Sequence, residues 1–300
     1  MKKKTYLFAL MAMALTLGSC SDNENGIGGE TSKYITVSTS IGNMTRVATD
    51  EKGGQTFEEG DEISVYAWTG DATVAPETSE RVVNNAINKL TNGSWVSTPQ
   101  MLWKNNRDKH YFIGVYPTAA ISDLSVGEYT FDANKQTESD LLVAVNPDGL
   151  SYNVDEPQTV PLTFTHVMAK LAVNLTYKNQ WGGIPTVEKV VVGNAAKEAT
   201  INYLTKVVTP STTAKEDFSL PEITENTKYV SVIIPQEEVT QLTIVIGGKN
   251  FVYDNGTPFK LESGKITTVN LEVGRDEIKL GDVKITNWED GSAFSGEALN

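Results

Sequence analysis

Cysteine and histidine are nearly absent from this chain, which has one cysteine and two histidines in 300 residues. An intrachain disulfide needs two cysteines and a Cys/His zinc site needs about four ligands, so both are excluded by count. The sequence also lacks a Gly-x-Ser-x-Gly motif and a Gly-Lys-Ser/Thr motif, the usual hydrolase elbow and phosphate-binding loop. We therefore expect no catalytic residue, no cofactor and no metal site, and the sequence does not predict an enzyme.

Positive charge is also scarce. The chain carries 25 Lys and Arg against 38 Asp and Glu, a net charge of -13, and no long basic run follows Lys4. Nucleic acid is excluded as a partner because its phosphates require a positive surface. Hydrophobic residues make up 39% of the chain, enough to form a core, and the length suits two domains of about 140 residues each.

The amino terminus reads as a secretory signal. Lysines at residues 2–4 precede an apolar run at residues 6–17, which is too short to span a membrane because a spanning helix needs roughly 20 residues. Residues 17–20, Leu-Gly-Ser-Cys, resemble the lipobox of bacterial lipoproteins. The resemblance implies that residues 1–19 are a signal peptide and that Cys20 carries lipid; the alternative is an ordinary signal peptide with an incidental cysteine.

An acidic stretch follows at once. Residues 21–25, Ser-Asp-Asn-Glu-Asn, resemble the tag by which some gram-negative bacteria send lipoproteins to the outer face of the outer membrane. The alternative is a solvated linker. Gly, Ser and Thr dominate the sequence up to Ser32, which predicts a lipidated flexible tether over residues 20–32.

Short segments with apolar residues at every second position recur along the rest of the chain, and this period is typical of half-buried strands. They lie at residues 35–41, 63–67, 171–175, 230–234, 242–246 and 269–273. Turn pairs such as Asn92-Gly93 and Gly247-Gly248 separate strand candidates at short intervals. The pattern predicts an all-β protein built as antiparallel β-sandwiches.

A polar, proline-containing gap near residues 155–158 marks the expected domain boundary. It divides the folded part into an N-terminal domain of residues 33–157 and a C-terminal domain of residues 158–300. Residues 81–90 have apolar side chains at helical spacing, but their asparagines are poor helix formers and Asn92-Gly93 follows. We predict a strand that enters a hairpin there.

Both histidines are predicted to be structural. His166 shares a strand face with Leu162 and Phe164, and His110 stands before an apolar strand candidate at residues 111–116. A histidine that is hydrogen-bonded at the edge of a core accounts for each of the two residues without a catalytic role.

Three segments together resemble the fimbrillin family, in its Mfa-like branch. Residues 57–67 resemble its Phe-x-x-Gly-Asp-x-Ile-x-Val-Tyr segment, and residues 111–117 and 164–175 resemble two further family segments. Each is a weak signal alone. Their order, with the lipobox before them and residues 264–271 after them, is specific, and the resemblance covers nearly the whole chain.

The resemblance implies a structural and adhesive subunit of a type V pilus. Such a subunit is a lipoprotein precursor with two tandem transthyretin-like β-sandwich domains, exported to the outer membrane and exposed at the cell surface. An Arg-specific protease removes its first strand, and a strand from the next subunit fills the opened groove. Strand donation uses main-chain hydrogen bonds and needs no catalytic residue.

Two elements of this sequence match the cleavage site and the donated strand of such a subunit. The family's cleaved arginine maps to Arg46, after the alternating strand at residues 34–41 and before a polar stretch at residues 49–55; the alternative is a plain loop arginine. The candidate donor strand lies near the carboxyl terminus, with a phase shift at Gly281-Asp282; its alternative role is the last strand of its own domain. Its apolar residues are Ile278, Leu280, Val283, Ile285 and Trp288.

The expected partners are other pilus subunits through strand exchange, the outer membrane through the lipid, and ligands on host or bacterial surfaces. The family contains stalk, anchor, tip and accessory subunits, and the sequence does not choose among them. A second hypothesis is a monomeric surface lipoprotein that binds glycan or a host protein. An exposed aromatic cluster would favour that hypothesis, whereas an apolar groove under the first strand would favour the pilus subunit.

Overall fold

The protein is described by a computed structural model in residues 33–42, 56–153, 158–239, 241–253 and 258–288. These residues form β-strands and two short 3-10 helices, Thr78–Glu80 and Asn179–Trp181, and contain no α-helix. None of their helices has the length and apolar character needed to cross a membrane. The all-β prediction is confirmed.

The strands follow one another at short intervals along the chain. The first eight are β1 (Thr36–Ile41), β2 (Glu62–Thr69), β3 (Val83–Thr91), β4 (Ser94–Thr98), β5 (Lys109–Tyr116), β6 (Gly127–Thr130), β7 (Leu142–Ser151) and β8 (Thr159–His166). The next seven are β9 (Ala169–Tyr177), β10 (Val187–Ala196), β11 (Glu198–Asn202), β12 (Val207–Pro210), β13 (Lys215–Ser219), β14 (Glu222–Thr224) and β15 (Lys228–Ile233). The last six are β16 (Gln236–Val239), β17 (Leu242–Ile246), β18 (Lys249–Tyr253), β19 (Phe259–Leu261), β20 (Lys265–Val273) and β21 (Ile278–Asn287).

The amino-terminal half is a seven-stranded sheet in the order β1-β8-β7-β5-β2-β3-β4. All neighbours are antiparallel except β1 and β8, which are parallel. The sheet curls so that β1 meets the segment after β4, where Tyr34 and Leu102 form an isolated bridge. Its enclosed face carries a core that includes Ile63, Phe112 and Phe164.

The carboxyl-terminal half contains a four-stranded sheet, β13-β10-β17-β18, and a five-stranded sheet, β14-β15-β9-β20-β21. Side chains from both sheets, such as Val190 and Leu271, belong to one core cluster. That cluster continues to Tyr66 and Trp68 on β2, and β6 pairs with β11 in a smaller sheet. The two halves are therefore joined by packing and by strand pairing.

Residues 83–98 form the predicted hairpin. β3 pairs antiparallel with β4, and the connecting residues Asn92 and Gly93 have φ angles of 51° and 73°. Left-handed backbone at both central positions is what a tight hairpin turn requires, and Asn-Gly accepts it at least cost. The Asn-Gly turn therefore determined the structure of this region, and the helical spacing of its apolar residues did not.

Strand pairing also bears on the domain division. β8 follows the predicted boundary at residue 157, and it pairs with β1 and β7 in the first sheet. The first sheet therefore extends to His166. The two-domain division and its tandem transthyretin-like form stay predictions.

Candidate functional site

β1 fills a gap between two parts of the chain that are far away in sequence. On one edge its six residues pair in parallel with β8, from Thr36 opposite Thr159 to Ile41 opposite Phe164. On the other edge the chain around its start bonds the segment after β4. The Ile35 amide donates to the Met101 carbonyl at 3.0 Å, and the Trp103 amide donates to the Lys33 carbonyl at 3.2 Å. β1 therefore closes the first sheet on itself.

The inner face of β1 is apolar, as the alternation predicts. Ile35 and Val37 are 2% and 6% exposed, and Thr39 and Ile41 are half-buried. The core around them includes Val160, Leu162 and Phe164 of β8 together with Met101 and Trp103. Burying a side chain of this size is worth about 1.5–3 kcal/mol, so β1 contributes both hydrogen bonds and core.

The outer face of β1 is polar and is matched to β8 by hydroxyl pairs. The Ser40 hydroxyl donates to Thr163 Oγ1 at 3.2 Å, and the hydroxyls of Thr36 and Thr159 lie 3.2 Å apart. On the inner side the Trp95 indole N–H donates to Thr39 Oγ1 at 3.0 Å. These contacts set the register of β1, since a slip of one residue would bring its polar face into the core.

Phe57 forms an aromatic cluster at the far end of β1. Its ring lies edge-on to Trp95, Tyr116 and Phe164, with centroids 5.3, 5.3 and 5.1 Å away. The Gly42 amide donates to the Phe164 carbonyl at 2.8 Å. The chain therefore contacts Phe164 both before and after residues 43–55, which lie outside the described residues.

Tyr116 stays neutral in this cluster. Burial, and after it the nearby Asp61 carboxylate, raise the pKa of its phenol to about 12. The hydroxyl donates to Asp61 Oδ1 at 3.3 Å. The phenol therefore remains a hydrogen-bond donor through the physiological pH range.

His110 supports the other wall of the gap. Its Nε2 accepts the Lys104 amide at 3.1 Å, and its Nδ1 lies 3.1 Å from the Asp108 carbonyl, to which it donates. Its ring lies edge-on to Trp103 at 5.0 Å. Burial lowers the pKa of His110. The ring is therefore neutral, which leaves Nε2 free to accept the Lys104 amide.

His166 is also held by structural contacts. Its Nδ1 lies 2.7 Å from Asp140 Oδ1, and its ring stacks on Trp288 with centroids 4.0 Å apart. Both histidines are buried and hydrogen-bonded, as predicted. Within the described ranges, no group of three or more His, Cys, Asp and Glu side chains could hold a metal ion.

β21 is the outermost strand of the five-stranded sheet, where it pairs antiparallel with β20. The predicted phase shift is a β-bulge, because Gly281 and Asp282 together face Asn270. Four of the candidate donor residues pair directly with inward-facing positions of β20 and therefore share one face: Ile278, Leu280, Val283 and Ile285. Trp288 lies instead against Lys170 and His166. In the single molecule β21 is thus the last strand of its own sheet, the alternative role left open above.

Cys20 and Arg46 lie outside the described residues, as do the signal peptide, the tether and residues 289–300. Sequence reasoning missed the segment at residues 101–103 as a wall of the β1 gap, and it missed the Phe57 cluster. An alternating pattern could not reveal either one, because neither residues 101–103 nor Phe57 lie in a regular strand.

The comparisons with known proteins cover nearly all of the described chain. The sequence model of a family described as Fimbrillin-like matches residues 45–288. A candidate fimbrium subunit, Fim1C, from Bacteroides uniformis is 25% identical over 325 aligned positions, which cover 100% of this chain and 99% of that protein.

Two crystal structures share the fold. A candidate cell adhesion protein from Bacteroides ovatus is 18% identical, with a TM-score of 0.65 over 85% of this chain and 98% of that one. A candidate cell adhesion protein from Bacteroides uniformis is 18% identical, with a TM-score of 0.60 over 85% of this chain and 99% of that one.

Proposed function

This chain belongs to the Fimbrillin-like family, and we propose that it is a structural and adhesive subunit of a cell-surface fimbria, exported as a lipoprotein and assembled by strand donation. The observation that carries the proposal is the position of β1. It is a short amino-terminal strand with a buried apolar face, bonded along one edge to β8 and at its start to the segment after β4.

Loss of β1 would create a site for another strand. The edge of β8 would lose its partner from Thr159 to Phe164, and the core side chains Val160, Leu162 and Phe164 would lose cover. An open strand edge beside an apolar surface favours pairing with an extended segment. The incoming strand would need apolar residues at every second position, as β1 has.

The order of the sequence motifs fits removal of β1. Cys20 precedes β1 and Arg46 follows it. A cut at Arg46 would therefore detach the lipid-bearing segment and β1 together, so that one event would open the groove and free the subunit from its anchor. The contacts of Gly42 and Phe57 with Phe164 bring the two ends of residues 43–55 together.

β21 is the candidate donor. Its apolar face alternates in two stretches, Ile278 and Leu280 before the bulge and Val283 and Ile285 after it, and each stretch has the spacing that the groove requires. As an outermost strand it pairs with β20 alone among the described strands, so fewer bonds oppose its departure. The partners of this protein are accordingly other subunits of the same fimbria, at the outer membrane surface.

The hypothesis of a monomeric glycan-binding lipoprotein has less support. Among the described residues the large hydrophobic side chains that are exposed are all aliphatic, for example Val74, Ile184 and Val207. The exposed aromatic cluster that would favour a sugar platform is not found in that part of the chain.

The test compares Arg46→Ala with Arg107→Ala, a matched change at an exposed loop arginine. Treated with an Arg-specific protease, the full-length wild type and Arg107→Ala should gain a new amino terminus after residue 46 and form oligomers, whereas Arg46→Ala should stay monomeric. Mass spectrometry of the amino-terminal peptide and size-exclusion chromatography with light scattering measure both steps. Wild type that is cut at Arg46 and remains monomeric rejects strand donation and favours the monomeric lipoprotein.

A further inference from the structure

Trp288 follows the last residue of β21 and packs against a different set of residues from that strand. Its ring stacks on His166 at an interplanar angle of 5°, and the Lys170 ammonium lies 4.2 Å from its ring centroid. We propose that Trp288 is a latch that retains β21 in its own subunit and controls when the strand becomes available to a partner. The inference rests on the proposed role of β21 as donor.

Burial along β21 shows why one residue can act as the latch. Of the described residues 278–288, Trp288 is the only one that is buried, at 7% exposure. Val283 and Ile285 are each 37% exposed even though they point to the sandwich face. Because burial of apolar surface is the main source of packing free energy, Trp288 makes the largest single packing contribution of residues 278–288.

The hairpin geometry places this latch where opening must begin. β20 and β21 are joined by a short turn in which the Gly274 amide donates to the Glu277 carbonyl at 2.8 Å. A strand that leaves its sheet but remains attached must swing about that turn. The opposite end is closed by the Trp288 amide, which donates to the Gly264 carbonyl at 3.1 Å, so release of Trp288 is the first step.

The bulge divides the hairpin into two parts. Pairs from Val269–Val283 to Lys265–Asn287 lie between the bulge and the latch, and pairs from Leu271–Leu280 to Val273–Ile278 lie between the bulge and the turn. A break in the ladder lets the part beyond it open separately. The part nearest Trp288 is therefore the segment that the latch controls.

One feature of the Trp288 site also favours release of the side chain. The Trp288 indole N–H is buried and has no hydrogen-bond partner among the described residues. A buried donor without a partner regains a hydrogen bond with water when it leaves the protein, which offsets part of the loss of stacking. A site that also supplied an acceptor for the indole N–H would retain the strand more strongly.

The first test is hydrogen exchange of the full-length chain, comparing Trp288→Ala with Trp181→Ala. Trp181 is a matched control because it contacts the other end of β20, where its indole N–H donates to the Val273 carbonyl at 3.0 Å. Trp288→Ala should speed exchange of the amides of residues 283–287 by at least about tenfold. Exchange in β9 and β10 should not change, and Trp181→Ala should leave residues 283–287 as in wild type.

Two results would overturn the latch: unchanged exchange of residues 283–287 in Trp288→Ala, or an equal increase in Trp181→Ala. If Trp288→Ala does not fold, Lys170→Met provides the second variant, since it keeps the aliphatic stem of the side chain and removes only the cation over Trp288. It should raise exchange in the same amides severalfold, and unchanged exchange would again reject the proposal.

Assembly after treatment with the Arg-specific protease separates the latch from the proposed function. Faster oligomer formation by Trp288→Ala than by wild type supports both. Faster exchange with a chain that is cut but stays monomeric supports the latch as the contact that retains β21 and rejects donation by that strand. Slower or equal oligomer formation alongside faster exchange overturns the inference that Trp288 controls availability.

Discussion

The ring of Phe57 meets the ring of Phe164 edge-on, with centroids 5.1 Å apart and an interplanar angle of 77°. Phe164 is fully buried in β8, two residues before its end, and lies opposite the last residue of β1. The contact therefore joins the chain after residues 43–55 to the strand that β1 covers. It anchors the segment that would remain after a cut at Arg46.

Phe57→Ala should destabilise the protein by about 2 kcal/mol. Loss of a fully buried phenylalanine costs about 3–5 kcal/mol, and Phe57 is only half-buried. Urea unfolding measures the change in the free energy of unfolding. Val96→Ala, at a side chain that is 54% exposed, is the control and should change stability by less than about 0.5 kcal/mol; equal effects of the two variants would contradict the role of the cluster.

His110 should make stability fall below about pH 6.5, the ordinary pKa of histidine. Burial lowers the pKa of His110 in the folded protein, so the unfolded chain binds more protons as the pH falls, and stability decreases from the unfolded pKa toward the folded pKa. The contribution is fully present above the unfolded pKa. His110→Gln should flatten this decrease and cost about 1 kcal/mol at pH 7.5 through lost hydrogen bonds.

Urea midpoints at pH 7.5 and pH 5 give the comparison. His166→Gln should also cost about 1 kcal/mol at pH 7.5, because it removes the contact with Asp140. Oligomer formation should persist in both variants once they fold, and His166→Gln, which removes the ring that stacks on Trp288, should not slow it. Loss of assembly in a fully folded variant would show that a histidine has a functional role.

Cys20→Ala should yield protein without lipid, with its signal peptide retained or wrongly cut. The thiol of Cys20 is the attachment point that the lipobox-like residues 17–20 imply. Metabolic labelling with a fatty acid, followed by mass measurement of the amino-terminal peptide, reports the modification. Ser21→Ala, which keeps the thiol, should remain labelled, and mature wild type with an unmodified thiol would refute the assignment.

Ile285→Asp should impair assembly more than it impairs folding. Ile285 is 37% exposed in its own sheet, so the monomer should lose about 1 kcal/mol or less. In an acceptor groove the same position would be covered, and burial of an unpaired carboxylate costs several kcal/mol. Lys284→Asp, a charge change at the adjacent position on the other face, is the control and should assemble; assembly by both variants would exclude this face of β21 as the donated surface.

The candidate site could be predicted only in part from the sequence. Alternation at residues 34–41 identified β1 and the face it buries, and the break in alternation at Gly281-Asp282 identified the bulge in β21. Both are local properties, since the side-chain period of a strand is set by its own backbone. The role of Phe57 is not local, because its ring partners lie on three other parts of the chain.

Local sequence patterns were enough to predict that the chain forms strands, which face of β1 is buried, and where the tight turn between β3 and β4 falls. Three features became visible only in the folded chain: β1 lies between β8 and residues 101–103, β8 belongs to the first sheet, and Trp288 stacks on His166. The physical reason is that main-chain hydrogen bonds are the same for every strand. The choice of partner therefore depends on which distant apolar faces and side-chain hydroxyls match once the whole core has formed.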